Sequence, residues 1–177
     1  LLDYGDEVVT FAPYFWEYKS YVESVYGKLV PALCNMETLQ PDPGTFEAAL
    51  SERTRFVLIN TPNNPTGAVY SKESLEELAL LAQKHDFYVL SDEVYECMVY
   101  EGRTHVSVSA LSRDARRRTV LINSFSKTYA MTGWRLGYLA ADREVVQAVN
   151  VVQSQMVSSV NSISQKAGIA ALQGSQD

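Results

Sequence analysis

The chain has 177 residues, a net charge of −6 and a hydrophobic fraction of 46%. These values are typical of a soluble globular protein with a full core, and one domain is the default expectation. The acidic balance argues against a nucleic-acid partner, because clustered Lys and Arg bind phosphate backbones and the only basic run is 116–118. No apolar stretch is long enough to span a bilayer, so no membrane partner is expected.

The cysteine and histidine positions predict no metal site. Cys34 and Cys97 are isolated, without zinc-binding spacing or a C-x-x-C motif. We expect them to be free thiols of a cytoplasmic protein, with a single disulfide as the alternative. His85 and His105 lie at no metal-binding spacing, so surface or capping roles are expected for both.

Strands and helices alternate along the chain. Short apolar or β-branched runs predict strands, and apolar residues at helical spacing predict the helices between them. The predicted strands are residues 7–12, 28–33, 55–60, 87–91, 119–123 and 136–140. The predicted helices are 15–25 with Gly27 as its C-terminal cap, 45–50, a helix capped by Ser71, a short helix within 107–118, and an amphipathic region from the cap Asp142 to about Leu172 with a break near 157–162.

This alternation predicts a three-layer α/β/α fold with a mostly parallel sheet. The strand over 55–60 is almost continuously apolar, as expected where helices cover both faces of a sheet. The strand over 136–140 follows the preceding strand after too few residues for a helical crossover, so it is expected to be antiparallel.

Three polar clusters each follow a predicted buried strand. They are Asn63–Gly67, Asp92–Tyr95 and Ser124–Arg135. If the strands are parallel neighbours, the clusters converge in one crevice at the carboxyl edge of the sheet, where open α/β sheets bind ligands.

The third cluster combines phosphate donors with a reactive amine. Ser124, Ser126 and Arg135 carry the hydroxyls and guanidinium that bind phosphate. Lys127 can form an imine with an aldehyde once burial or neighbouring positive charge lowers its pKa. This combination indicates a phosphorylated cofactor held beside a nucleophile.

The other two clusters supply groups that suit an aromatic ring. Asp92 could hold a protonated ring nitrogen by a charge-assisted hydrogen bond. Asn64 and Tyr95 could donate hydrogen bonds to a ring oxygen. Taken one at a time, these residues also fit capping, turn and core-packing roles.

The amino-acid sequences of the three clusters resemble those of a known family. T-P-N-N-P-T-G over 61–67, S-D-E-V-Y over 91–95 and S-F-S-K-T-Y-A-M-T-G-W-R-L-G-Y over 124–138 are similar to the pyridoxal-phosphate-dependent aminotransferases of class I, fold type I. The resemblance runs over nearly the whole chain and leans to the aspartate or aromatic type. It implies pyridoxal 5'-phosphate as cofactor.

The resemblance also implies roles for single residues. Lys127 would be the Schiff-base lysine and proton shuttle, Asp92 would pair with the pyridine nitrogen, and Tyr95 would complete the catalytic set. Asn64 and Tyr95 would contact the ring hydroxyl, while Ser124 and Arg135, with Ser126 as a weaker candidate, would bind the phosphate.

An aromatic residue after the first strand stacks on the cofactor ring in this family. Phe15 is the best match, and Tyr14 and Trp16 are the alternatives.

At the level of the whole protein, the resemblance implies transfer of an amino group between an amino acid and a 2-oxo acid by a homodimer. Residues 1–177 would be the central part of the large, cofactor-binding domain, with the small domain and the N-terminal segment outside this chain. The alternatives are a carbon–sulfur lyase or an aminocyclopropane-carboxylate synthase, the aminotransferase-like effector domain of a transcription regulator, and a cofactor-free scaffold.

Overall fold

The computed structural model describes residues 2–176 and contains a six-stranded sheet in the order β2-β1-β3-β4-β5-β6. The strands are β1 (Glu7–Ala12), β2 (Lys28–Leu33), β3 (Thr54–Asn60), β4 (Tyr88–Asp92), β5 (Thr119–Ser124) and β6 (Gly137–Ala140). The pairs from β2 to β5 are parallel, and β6 runs antiparallel to β5. The predicted mostly parallel sheet and its antiparallel last strand are both confirmed.

Helices connect these strands. They are α1 (Glu17–Ser24), α2 (Pro43–Ala49), α3 (Lys72–His85), α4 (Arg113–Arg118), α5 (Phe125–Thr128), α6 (Arg143–Met156) and α7 (Ser162–Gln173), with short 3-10 turns at Val108–Ala110 and Thr132–Trp134. Within residues 2–176, no helix combines the length and the apolar character needed to cross a membrane.

Apolar side chains cover both faces of the sheet. On one face, Val9, Val57 and Val89 join a cluster that includes Leu75 and Leu78 of α3. The opposite face carries a second cluster, which is formed by Val8, Phe56, Leu58, Val120, Tyr18, Val22 and Val145, the last three from α1 and α6. Alternate residues of a strand point to opposite faces, so β1 and β3 each contribute to both clusters. The result is the predicted three-layer α/β/α arrangement.

Two predicted helix caps differ from those in the structure. Tyr26, at φ 63°, and not Gly27, takes the left-handed conformation after α1. Gly27 serves close packing instead, because a Cβ there would lie 2.9 Å from the Val22 side chain. Asp142 occupies the N-cap position of α6 but accepts no capping hydrogen bond. The predicted Ser71 cap is confirmed, since its side chain accepts from the backbone N–H of Ser74 at 3.1 Å.

The strand order changes direction at β1. The chain leaves β1 for β2 on one side and returns to β3 on the other. A crevice forms outside the carboxyl ends of strands at such a switch point. The carboxyl ends of β1, β3, β4 and β5 and the segments that follow them therefore meet at one edge of the sheet, and together they contain all of the predicted site residues.

Candidate active site

Asp92, the last residue of β4, is a partly buried carboxylate. Its Oδ2 accepts a hydrogen bond from the Tyr18 hydroxyl at 2.6 Å, and its Oδ1 accepts weakly from the Val94 N–H at 3.3 Å. Burial raises the pKa of Asp92, and the Tyr18 hydrogen bond opposes that rise. Among residues 2–176 no cationic side chain pairs with this carboxylate. A protonated ring nitrogen would supply the missing positive charge, so Asp92 fits the pyridine ring of pyridoxal phosphate.

Tyr18 is a site residue that the sequence did not reveal. It lies in α1 at helical spacing from other apolar residues, a pattern that predicts core packing. Its ring does pack in the core, but its hydroxyl reaches Asp92, and burial followed by the nearby carboxylate raises the pKa of Tyr18. The rings of Phe15 and Tyr18 pack edge to face, with their centroids 5.5 Å apart. Phe15 is thus close to the site, whereas Trp16 is 72% exposed.

The loop after β3 is joined to Asp92 through Asn60. The Asn60 side chain accepts from the Asn64 N–H at 2.6 Å and donates to the Asp92 backbone carbonyl at 3.0 Å. Asn60 is 3% exposed, so this link is shielded from water. Asn64 is half-buried, and its neighbour Asn63 caps the turn at Thr66. The first two polar clusters therefore converge as predicted.

Lys127 and Tyr95 bring the second and third clusters together. The Lys127 ammonium lies 5.4 Å from the centroid of the Tyr95 ring, within the range of a cation–π contact. Lys127 belongs to the short helix α5, directly after β5, and is half-buried. Because Tyr95 follows β4 and β4 pairs with β5, the amine and the phenol meet at adjacent strand ends.

The predicted phosphate donors lie in two turns that contact each other. Ser124 caps α5 by accepting from the Ser126 N–H at 3.3 Å. Thr132 donates to the Ser126 carbonyl at 3.1 Å, and one nitrogen of the exposed Arg135 donates to the Thr132 carbonyl at 3.0 Å. Arg135 has a left-handed φ of 51°. Its remaining guanidinium N–H groups and the two hydroxyls are chemically suited to a phosphate.

The prediction of a surface or capping role for His105 is wrong. Its Nε2 lies 2.9 Å from Oε2 of Glu93, which is 1% exposed. The other Glu93 oxygen accepts hydrogen bonds from Ser91 and Ser107, both at 2.8 Å. These contacts fix the Glu93 side chain. His105 and Ser107 lie too far from Glu93 in sequence for a spacing argument to find them.

The same cluster extends to Glu96. Glu93, Glu96 and His105 bring three possible metal-ligand atoms within 4.8 Å of one another. Hydrogen bonds already engage these carboxylates, since Glu96 accepts from Asn123 at 2.6 Å. Within the described residues, Nδ1 of His105 is buried and has no hydrogen-bond partner.

The chain belongs to the family described as "Aminotransferase class I and II", whose sequence model matches residues 1–177. It is 44% identical to the aspartate/prephenate aminotransferase of Thermus thermophilus and 42% identical to the aspartate aminotransferase of Rhizobium meliloti. The alignments cover 97% and 99% of this chain but 44% and 43% of those relatives, so the chain spans less than half of their length.

Solved structures agree with this assignment. The aspartate aminotransferase from Thermus thermophilus with maleate superposes with a TM-score of 0.92 at 44% identity, over 97% of this chain and 44% of that one. The aromatic aminotransferase from Pyrococcus horikoshii gives a TM-score of 0.95 at 36% identity, over 99% and 47%. The predicted fold class, that of the pyridoxal-phosphate transferases, is confirmed.

Proposed function

We propose that the protein to which this chain belongs transfers an amino group between an amino acid and a 2-oxo acid, with pyridoxal 5'-phosphate as cofactor. The observation that carries the proposal is the meeting of Lys127, Tyr95 and Asp92 at adjacent strand ends, where the Asp92 carboxylate pairs with no cationic side chain among residues 2–176. Family membership supports the same reaction class.

The proposed roles follow from the chemistry of each side chain. Bound pyridoxal phosphate supplies an electron sink for bonds at the amino-acid α-carbon. Lys127 serves as the nucleophile for the cofactor aldehyde, and its Nζ then holds and returns the α-proton. Asp92 keeps the ring nitrogen protonated, and Tyr18 orients the Asp92 carboxylate by its hydrogen bond.

The remaining residues have the proposed role of binding and orienting the cofactor. Asn64 and Tyr95 would donate hydrogen bonds to the ring oxygen of the cofactor, and the ring of Phe15 would pack against the cofactor ring. The phosphate is held by Ser124, Ser126 and Arg135. These assignments are supported by the convergence of the three turns and by the uncommitted donors that they present.

The relatives guide the proposed substrate class. Their names specify aspartate, prephenate or aromatic aminotransferases, so we propose an acidic or aromatic amino acid as the substrate. We also propose a homodimeric assembly, which the family resemblance implies. The carbon–sulfur lyase and transcription-regulator alternatives receive no support from these names.

Covalent attachment of the cofactor tests the proposal. We expect the purified chain mixed with pyridoxal phosphate to develop a visible absorbance band, and borohydride reduction to leave a pyridoxyl adduct on the peptide that contains Lys127. The variant Lys127→Ala should lose both signals. Lys166→Ala, a change at an exposed lysine of α7, should keep them and serves as the matched control.

Two results would contradict the proposal. One is an unchanged spectrum in the Lys127→Ala variant. The other is an adduct distributed over surface lysines in the wild type.

A further inference from the structure

A side-chain hydrogen bond joins the turn that holds Tyr95 to the turn that holds Lys127. The Asn123 amide nitrogen donates to Oε1 of Glu96 at 2.6 Å, and the Asn123 amide oxygen accepts from the Ser124 N–H at 2.7 Å. Asn123 is 3% exposed, whereas Glu96 is half-buried. We call this pair the Glu96–Asn123 strap.

The strap lies beyond the last backbone link between the two turns. The ladder between β4 and β5 ends with the Glu93 N–H donating to the Ile122 carbonyl at 2.9 Å. In the described part of the chain, no backbone hydrogen bond joins residues 94–98 to residues 123–128. Beyond the Glu93–Ile122 hydrogen bond, the contacts described between the two turns are made by side chains.

The two ends of the strap are next to site residues in sequence. Glu96 directly follows Tyr95, and Asn123 directly precedes Ser124 in the segment that leads to Lys127. A shift of either turn would change the 5.4 Å separation between the Lys127 ammonium and the Tyr95 ring. Displacements of about 1 Å are enough to impair a reacting pair.

We propose that Glu96 and Asn123 are positioning residues that set the placement of the Lys127 amine relative to the Tyr95 phenol. The inference rests on the proposed cofactor chemistry of Lys127. Neither Glu96 nor Asn123 needs to touch the cofactor, because the strap acts through Tyr95 and Ser124. Since its acceptor is a carboxylate, the hydrogen bond is of the stronger, charge-assisted kind.

An exchange of donor and acceptor tests the strap. In Asn123→Asp, two carboxylates face each other and the hydrogen bond is lost. In Glu96→Gln, the amide oxygen still accepts from Asn123, so the strap is weakened but kept. In the double variant that combines both changes, the new amide donates to the new carboxylate, whose second oxygen still accepts from the Ser124 N–H. The net charge of the double variant is the same as that of the wild type.

The measured quantities are the dissociation constant for pyridoxal phosphate, the pH midpoint of the visible absorbance band, and amide hydrogen exchange in residues 94–98 and 123–128. For Asn123→Asp we expect binding about tenfold weaker, the size of one lost charge-assisted hydrogen bond, with a displaced pH midpoint and faster exchange in both turns. The double variant should return to within about threefold of Glu96→Gln.

Matched controls separate the strap from general effects of substitution. Glu52→Gln combined with Asn150→Asp makes the same two chemical changes away from the strap and should behave as the wild type. If Asn123→Asp does not fold, Glu96→Ala removes the acceptor without adding a charge and should show the same losses.

The proposed positioning role of the strap is disproved if the single variants bind the cofactor and exchange their amides as the wild type does. It is also disproved if the folded double variant is as impaired as Asn123→Asp. Failure of the wild type to attach pyridoxal phosphate would contradict the proposed function instead. In that case the exchange data alone decide whether the strap couples the two turns.

Discussion

A carboxylate that is shielded from water and has only a hydroxyl as its strong partner is unfavourable in its charged form. Asp92 is in this position, because Tyr18 donates a hydrogen bond but contributes no positive charge. The pKa of Asp92 is raised, and burial is the largest cause of the rise. The raised pKa reflects this cost of the charged form. The residue thus lowers the stability of the ligand-free fold, and in the proposed function its negative charge would pair with a pyridinium nitrogen.

The cost at Asp92 predicts a pH-dependent gain in stability for Asp92→Asn. The folded chain holds the Asp92 proton more tightly than the unfolded chain, so this residue's contribution is highest below the ordinary carboxyl pKa of 3.8 and is lost as pH rises through the raised folded value. Asp92→Asn has no carboxyl group at this position, so its stability does not fall as pH rises through that value. Its advantage in unfolding free energy over the wild type should therefore grow with pH across this window and then level off.

Urea unfolding of both proteins at a series of pH values measures the difference. Asp3→Asn, at an exposed carboxyl, is the control and should track the wild type. A difference between Asp92→Asn and the wild type that stays constant with pH would mean that burial of Asp92 has no energetic consequence. For the proposed aminotransferase activity, the same substitution should leave the lysine able to react with the cofactor but abolish transamination.

At the scale of single residues, the sequence allowed the positions of residues in short motifs at strand ends to be predicted. Lys127, Asp92 and Asn64 are examples, because a strand end fixes the place of the residue that follows it. Tyr18 could not be found in this way, since a phenol in an apolar helix stripe looks the same whether or not its hydroxyl has a partner. Asn123 was predicted only as the end of a strand.

The hairpin of β5 and β6 places the lysine turn within tight backbone packing. Gly137 pairs with Ser124, and a Cβ on Gly137 would lie 3.0 Å from the Asn123 carbonyl oxygen. From the other side, a Cβ on Gly168 of α7 would lie 2.4 Å from the Leu136 side chain. Glycine therefore allows β6 and α7 to approach the segment that carries Lys127.

The close approach at Gly137 predicts that Gly137→Ala destabilises the hairpin. The added methyl group must displace a backbone carbonyl, which cannot rotate away as a flexible side chain could, and overpacking of this kind costs about 1–3 kcal/mol. The free energy of unfolding should fall by that amount, and attachment of the cofactor at Lys127 should weaken. Gly133→Ala, where a Cβ meets nothing within 4 Å, is the control. Equal stability of the two variants would contradict the proposed crowding.

Element boundaries were predictable where a local signal and the tertiary fold agreed. The Ser71 cap and the strand over 7–12 are such cases. The cap of α1 was misassigned because glycine is the usual left-handed residue, whereas here Tyr26 takes that conformation and Gly27 is needed for contact with Val22. Close contacts of this type depend on packing that no short sequence window contains.

Over the whole molecule, the two edges of the sheet carry different features. The carboxyl ends carry the candidate site. Near the amino ends of β4 and β5, the Arg118 side chain, 22% exposed, pairs with Asp86 at 2.7 Å and with Asp114 at 3.0 Å. This ion network ties α4 to the turn before β4 and is remote from the Lys127 turn along both strands.

This separation predicts a variant that changes stability without changing the site. Arg118→Met should lower the unfolding free energy by about 1 kcal/mol, since the network is partly exposed to solvent. Attachment of pyridoxal phosphate should be unaffected. Arg116→Met, at an exposed position of the same helix, should alter neither quantity. Thermal unfolding and borohydride trapping of the three proteins check both parts, and loss of trapping in Arg118→Met would show that the two ends are coupled.

The order of the strands along the chain also determines when the site can form during protein synthesis. Phe15 and Asn64 are synthesised long before Lys127, which follows five of the six strands in the chain. While the chain emerges from the ribosome, the parallel pairs β1–β2, β1–β3 and β3–β4 can form before the reactive amine has been made. The cofactor attachment proposed for Lys127 would therefore come late in the synthesis of the chain, after these strand pairs can form.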